Sequence, residues 1–101
     1  MYAVLFEVVP KADGKAEYLE LAAQLRPLLE GQPGFISIER FQSLVEQNKL
    51  LSLSYWDSEA AIADWKAQMN HQLAQQQGKA RLFDTYRIRV AKVEREYQMG
   101  H

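Results

Sequence analysis

The side chains that could carry chemistry are few and widely spaced. Trp65 and His71 lie six positions apart, and Arg81, Arg87 and Arg89 form a basic stretch near the C-terminal end. Phe6, Tyr55, Phe83 and Tyr86 supply further rings in a chain that is 11% aromatic. An indole is a flat apolar wall with one donor, an imidazole is a base near neutral pH, and a guanidinium steadies a developing phenolate or enolate. Together they suit a small pocket for a flat aromatic molecule. Each also has a plainer reading. Trp65 shares the helical stripe of Ile62, Met69 and Leu73 and can serve as core. His71 falls on the opposite side of an unbroken helix, at about 100° per residue, and so faces solvent. A fresh helix capped by Gln68 or Asn70 would instead turn it toward the sheet. The arginines can pair with Glu39, Glu94 and Glu96, and the four rings can simply pack. Gln72 to Gln77 holds four glutamines and reads as a wet helix face.

Other chemistries are excluded by what the chain lacks. It has no cysteine, hence no thiol nucleophile, disulfide or Cys-ligated metal. Its histidines, His71 and His101, are too far apart in sequence to form a metal-ligand motif. No phosphate loop, nucleophile elbow or dinucleotide fingerprint occurs. With 12 basic and 13 acidic residues the net charge is −1, which gives no footprint for nucleic acid or anionic membrane. No apolar run is long enough to span a bilayer, and no leader pattern opens the chain. A cytoplasmic location is the expectation.

The elements that position these residues follow from periodicity. Tyr2 to Val9 is a strand apolar on both faces, hence central, with Glu7 its one charged residue. Asp13-Gly14 offers a turn and a cap for a helix carrying Tyr18, Leu21, Ala22, Leu25, Leu28 and Leu29; Pro27 should distort its last turn, and Gly31 should end it. Pro33-Gly34 has the chemistry of a type II turn leading into a strand, Phe35 to Gln42, where Ile36 and Ile38 alternate with Ser37 and Glu39. A polar connection, Val45 to Lys49, precedes the strand Leu50 to Trp56. Asp57-Ser58 caps a second helix, ended by Gly78, and Thr85 to Glu96 alternates as the last strand.

The order β-α-β-β-α-β predicts an α+β, ferredoxin-like domain with an antiparallel sheet. One domain spans residues 1–101, its tail, 96–101, flexible or touching a partner. Both helices lie on one sheet face, yet the other face is also apolar. That surplus, in a chain 48% hydrophobic, predicts a sheet-to-sheet homodimer with two-fold symmetry.

The strand–helix plan, the Pro33-Gly34-Phe35 turn and the run Ala63-Asp64-Trp65-Lys66-x4-His71-x3-Gln75-x2-Gly78 resemble the antibiotic biosynthesis monooxygenase (ABM) domain family, as does Tyr86-Arg87-Ile88-Arg89-Val90-Ala91. The resemblance runs from Tyr2 to about Glu94. It implies a dimeric α+β barrel with a pocket between sheet and helices, and oxidation of phenols, anthrones or quinols by dioxygen with no cofactor: no metal, flavin or haem. Trp65 matches the family's pocket tryptophan, and His71 a position facing the cavity in oxygenase members. Phe6, Tyr55, Phe83, Tyr86, Arg81 and Arg87 are the other expected pocket residues. Some members carry an asparagine one turn before the tryptophan; Ala61 stands here. The haem-degrading branch uses a first-strand asparagine and a histidine ten residues after the tryptophan; Phe6 and Gln75 occupy those places. Three other readings stay beside the cofactor-free oxygenase: a non-catalytic ligand-binding or stress-associated dimer, a dimer module with a filled core, and haem degradation.

Overall fold

A computed structural model gives the architecture; it describes residues 1–75 and 83–100, without the side chains of 72–75. The order is β1 (Tyr2–Pro10), α1 (Lys15–Glu30), β2 (Phe35–Gln42), β3 (Leu50–Trp56), α2 (Glu59–Gln75) and β4 (Phe83–Lys92). The strands form one antiparallel sheet in the order β2-β3-β1-β4. The two central strands are the two whose alternating sets are both rich in apolar residues, as the sequence pattern requires. The shortest dimension of the molecule is 20 Å, the thickness of one helix layer on one sheet layer.

Which face of each strand the helices cover is fixed by burial and register. In β3 it is the Leu50, Ser52, Ser54 and Trp56 set that is buried, while Leu51, Leu53 and Tyr55 are half-buried on the other face. Serine is tolerated inside because Trp56 Nε1 donates to Ser54 Oγ at 2.9 Å, satisfying a buried donor. Val8, Tyr18, Leu21, Leu25, Leu50 and Phe83 form one core cluster. Leu29, Trp56 and Ala61 form a second, with Val4, Phe35, Ile38, Ile62 and Trp65 against it.

The turn between α1 and β2 matches its sequence signature. Phe35 N–H donates to the Gln32 carbonyl at 3.2 Å, and Gly34 has φ +86°, the left-handed value that the third position of a type II turn requires. Gly34 also packs so closely that a Cβ there would lie 2.6 Å from the Ala61 Cβ.

Gly14 of the expected Asp13-Gly14 pair caps α1, with no side-chain hydrogen bond at the cap. As expected, the helix runs through Pro27 to Glu30 and is capped by Gly31; Ala23 and Pro27 are both exposed, so the carbonyl deprived of its donor can take water. The alternation expected for β2 is corrected. In β2 a register shift between Phe35 and Ser37 makes Ile36 the extra residue of a bulge. Ile36 is therefore exposed while Phe35 and Ile38 turn inward. The end expected at Gly78 lies outside the described residues.

Candidate functional site

α2 carries Trp65 because Ser58 starts the helix cleanly: Ser58 Oγ accepts the Ala61 N–H at 3.2 Å, a side-chain cap. Ala61, Ile62, Trp65 and Met69 then recur at helical spacing and pack against the sheet. The Trp65 ring lies 6.4 Å from that of Trp56, tilted by 33°, and stays half-buried. One side of the indole is held by the core and the remainder is accessible.

α2 is continuous from Glu59 to Gln75. No new helix begins at Gln68 or Asn70, and the helical phase carries His71 to an exposed position, away from the Trp65 stripe.

The sheet beneath is more open on the β4 side. Ile88 pairs with Phe6 and Val90 with Val4; cross-strand partners share a face, so both belong to the helix-side face with Val4 and Phe6. Yet Ile88 is 44% and Val90 48% exposed. At one end of this strip Phe6, Phe83 and Tyr86 form a ring cluster, with centroids 6.1 Å apart for Phe6–Phe83 and 5.9 Å for both Phe6–Tyr86 and Phe83–Tyr86. Tyr18 joins it at 5.6 Å from Phe83. The result is an apolar strip from Tyr86 through Ile88 to Val90. It borders Val4, which packs into the same cluster as Trp65.

The fold therefore brings Phe6, Phe83 and Tyr86 together and keeps Trp65 on the same side of the sheet. Tyr55 and Arg87 lie on the opposite face: Tyr55 pairs with Ala3 and Arg87 with Glu7. Within one subunit neither can join a pocket at Trp65, because alternate residues point to opposite faces. Arg81 falls outside the described residues. Ile88, Val90 and Val4 lie outside the pocket set expected from the sequence, although the alternation of Ile88 and Val90 with Arg87 and Arg89 carries the signal.

The basic residues of the uncovered face gather around Glu7. Its carboxylate lies 3.6 Å from Lys49 Nζ and 3.5 Å from Arg89 Nη1, so Glu7 is the observed counter-ion of Arg89, in place of the expected Glu39, Glu94 or Glu96. A shallow, open pocket of about 200 Å³ lies beside this group, lined by Glu7, Glu46, Lys49, Thr85 and Arg87 among others. Val8, Val9 and Tyr86 complete a mixed lining that does not include Trp65. Among the described residues no three His, Asp or Glu side chains converge as metal ligands, and no helix is long and apolar enough to cross a membrane.

Comparison with known proteins places this geometry. The family model described as antibiotic biosynthesis monooxygenase matches residues 1–77. A jasmonate monooxygenase of the fungus Pyricularia oryzae is 37% identical over 93 residues, which is 92% of this chain and 43% of that protein; the chain thus spans less than half of that relative's length. The uncharacterized protein YqjZ of Bacillus subtilis is 36% identical over 95 residues, 94% of this chain and 81% of the relative. Among solved structures, SnoaB, a cofactor-independent oxygenase of Streptomyces nogalater, superposes with a TM-score of 0.74 at 16% identity, covering 94% of each chain. That last likeness is one of fold. With the β-α-β-β-α-β order, the sheet order and the two sequence relatives in agreement, the chain belongs to the antibiotic biosynthesis monooxygenase family.

Proposed function

We propose that the chain works as a homodimeric monooxygenase that inserts oxygen from dioxygen into a small, flat, largely apolar phenol, anthrone or quinol. The observation that carries this reading is the apolar strip Tyr86–Ile88–Val90, exposed on the helix side of the sheet and continuous with the half-buried Trp65. The name of the fungal relative supports oxygen insertion as the reaction class and leaves the substrate open.

Deprotonation of the ring hydroxyl, or of an acidic ring CH, makes the substrate its own reductant. One oxygen atom then becomes a new ring carbonyl, and the other leaves as water with the hydrogens that the ring gives up. The protein has three tasks: to hold the ring against Trp65, to exclude water with Ile88, Val90 and Phe6, and to place a polar group at the oxyanion. The Tyr86 hydroxyl, at the end of the strip, is one such group. His71, exposed on α2, serves as base only where the substrate reaches the rim of the cleft.

The metal-stripped protein, mixed with a reduced quinol or anthrone, should consume oxygen faster than the blank. Trp65→Phe should weaken substrate binding. Rates equal to the blank across a broad panel of phenols, anthrones and quinols would overturn the enzyme reading. The exposed His71, which leaves no imidazole beside Trp65 among the described residues, favours a second reading: a non-catalytic barrel that binds flat aromatics in the same cleft. That protein would show saturable quenching of tryptophan fluorescence with no oxygen uptake.

A further inference from the structure

Arg40 brings a positive charge to the helix-side face of the sheet. In β2 it shares the inward parity of Ile38 and is half-buried, whereas Glu39 and Phe41 beside it are exposed. Its Nε is buried and has no hydrogen-bond partner among the described residues. No carboxylate of the described residues pairs with it. The acidic residues of both helices, Glu17, Glu20, Glu30, Glu59 and Asp64, are exposed, and positions 72–82 contain no Asp or Glu.

The register shows what surrounds this charge. Arg40, Ser52, Phe6 and Ile88 form one row of the helix-side face, and Ile38, Ser54, Val4 and Val90 form the next. Neither row contains an anion. Phe6 and Ile88 belong to the apolar cleft, and Ile38 and Val4 pack against the same cluster as Trp65. Arg40 and Phe6 are two strand spacings apart, roughly 10 Å. The residue between them, Ser52, is small and buried, so no bulky side chain of the sheet separates the arginine from the rings. A partly buried cation with no counter-ion lowers stability, and an apolar residue would fill the same place without that penalty.

From this placement we infer that Arg40 is the anion-binding residue of the cleft, and that the molecule bound there carries a carboxylate beside its flat ring. The inference rests on the cleft reading above and adds the ligand's charge to it. A guanidinium presents a planar fork that a carboxylate meets with two parallel charge-assisted hydrogen bonds. Trp65 and the apolar strip hold the ring, while Arg40 fixes one end of the molecule and so its direction in the cleft. A neutral phenol or quinol of the same shape leaves Arg40 unanswered and is held more weakly.

Two ligands with one ring system test this. Hydroxynaphthoate and naphthol differ by the carboxylate, and isothermal titration calorimetry reads both affinities. Wild type should bind hydroxynaphthoate about ten- to a hundredfold tighter than naphthol, the range of a hydrogen bond to a charged group. Arg40→Met keeps an apolar stem without the charge; it should lose that preference and bind naphthol as wild type does. Arg40→Lys keeps the charge without the fork and should retain only part of the preference. This variant decides the case if Arg40→Met does not fold, and an undiminished preference there counts against Arg40. Trp65→Phe should weaken both ligands. Equal affinity of wild type for the two ligands overturns the inference and leaves the cleft reading standing. A preference that survives Arg40→Met gives the carboxylate to another cation and overturns it too. Equal weakening of both ligands by Arg40→Met, or hydroxynaphthoate binding indifferent to Trp65→Phe, would show that Arg40 does not act in the cleft. If neither ligand binds wild type, the cleft reading falls and the inference with it.

Discussion

Trp56, at 1% exposure, shows how one hydroxyl permits a serine face inside a core. Its indole packs edge-on to Phe35 at 5.4 Å, and its N–H donates to Ser54 Oγ at 2.9 Å. Ser54→Ala removes that acceptor from a buried site and should lower stability by about 1–3 kcal/mol, read from urea midpoints. In a Trp56→Phe background the donor is gone, and Ser54→Ala should then cost almost nothing; an equal cost in both backgrounds would show that packing, not the hydrogen bond, matters. A second comparison concerns function. Trp65→Phe should weaken quenching by a bound aromatic, whereas His71→Ala should leave that binding unchanged because His71 lies off the Trp65 stripe. Equal losses from both would mean that the ligand spans the rim of α2. The position of His71 was legible in the 3.6-residue period itself, and the unbroken helix decides between the two readings that the spacing left open. The pairing of Arg89 with Glu7 was not legible, because it depends on strand register, which no local pattern encodes.

Between elements, the α1–β2 turn is the tightest joint. Gly34 donates no side chain, yet its neighbours close around it: the Asp57 N–H donates to its carbonyl at 2.9 Å, and an added Cβ would lie 2.5 Å from Asp57 Oδ1. Gly34→Ala combines a left-handed backbone penalty with overpacking and should cost about 2–4 kcal/mol, measured as a fall in thermal and urea midpoints. The β2–β3 connection is organised differently. Gln42 Nε2 donates to the Gln47 carbonyl at 2.6 Å and to that of Lys49 at 3.1 Å, while Ser43 Oγ accepts the Val45 and Glu46 N–H groups. Gln42→Ala should therefore speed proteolytic nicking within Ser43–Lys49 with little change in global stability; unchanged nicking would show that the Ser43 contacts suffice. The element order, the central strands and the turn chemistry were all legible, because alternation, helical spacing and Pro-Gly each have a direct backbone cause. The bulge at Ile36 was hidden, since one inserted residue shifts a period-2 pattern only when its partner strand is known. Alternation did separate Tyr86 from Arg87, and through it the two faces on which the candidate residues lie.

At the scale of the whole molecule, the question is what an apolar surplus does once one sheet face is filled. The covered face of β3 contains two serines, and the uncovered face contains Leu51, Leu53 and Tyr55, half-buried in the isolated chain. A monomer would gain little from that distribution, whereas a sheet-to-sheet dimer buries it. Leu53→Asp separates the two cases, because its side chain lies outside both helix-side clusters and its loss leaves the monomer core intact. Wild type should scatter as a particle about twice the 11.7 kDa chain mass, with a thermal midpoint that rises with protein concentration, since association stabilises the folded state by mass action. Leu53→Asp should scatter at the chain mass, keep its circular dichroism spectrum and lose the concentration dependence of its midpoint. A variant that remains dimeric would mean that the subunits meet elsewhere, and the apolar surplus of this face would then need another occupant.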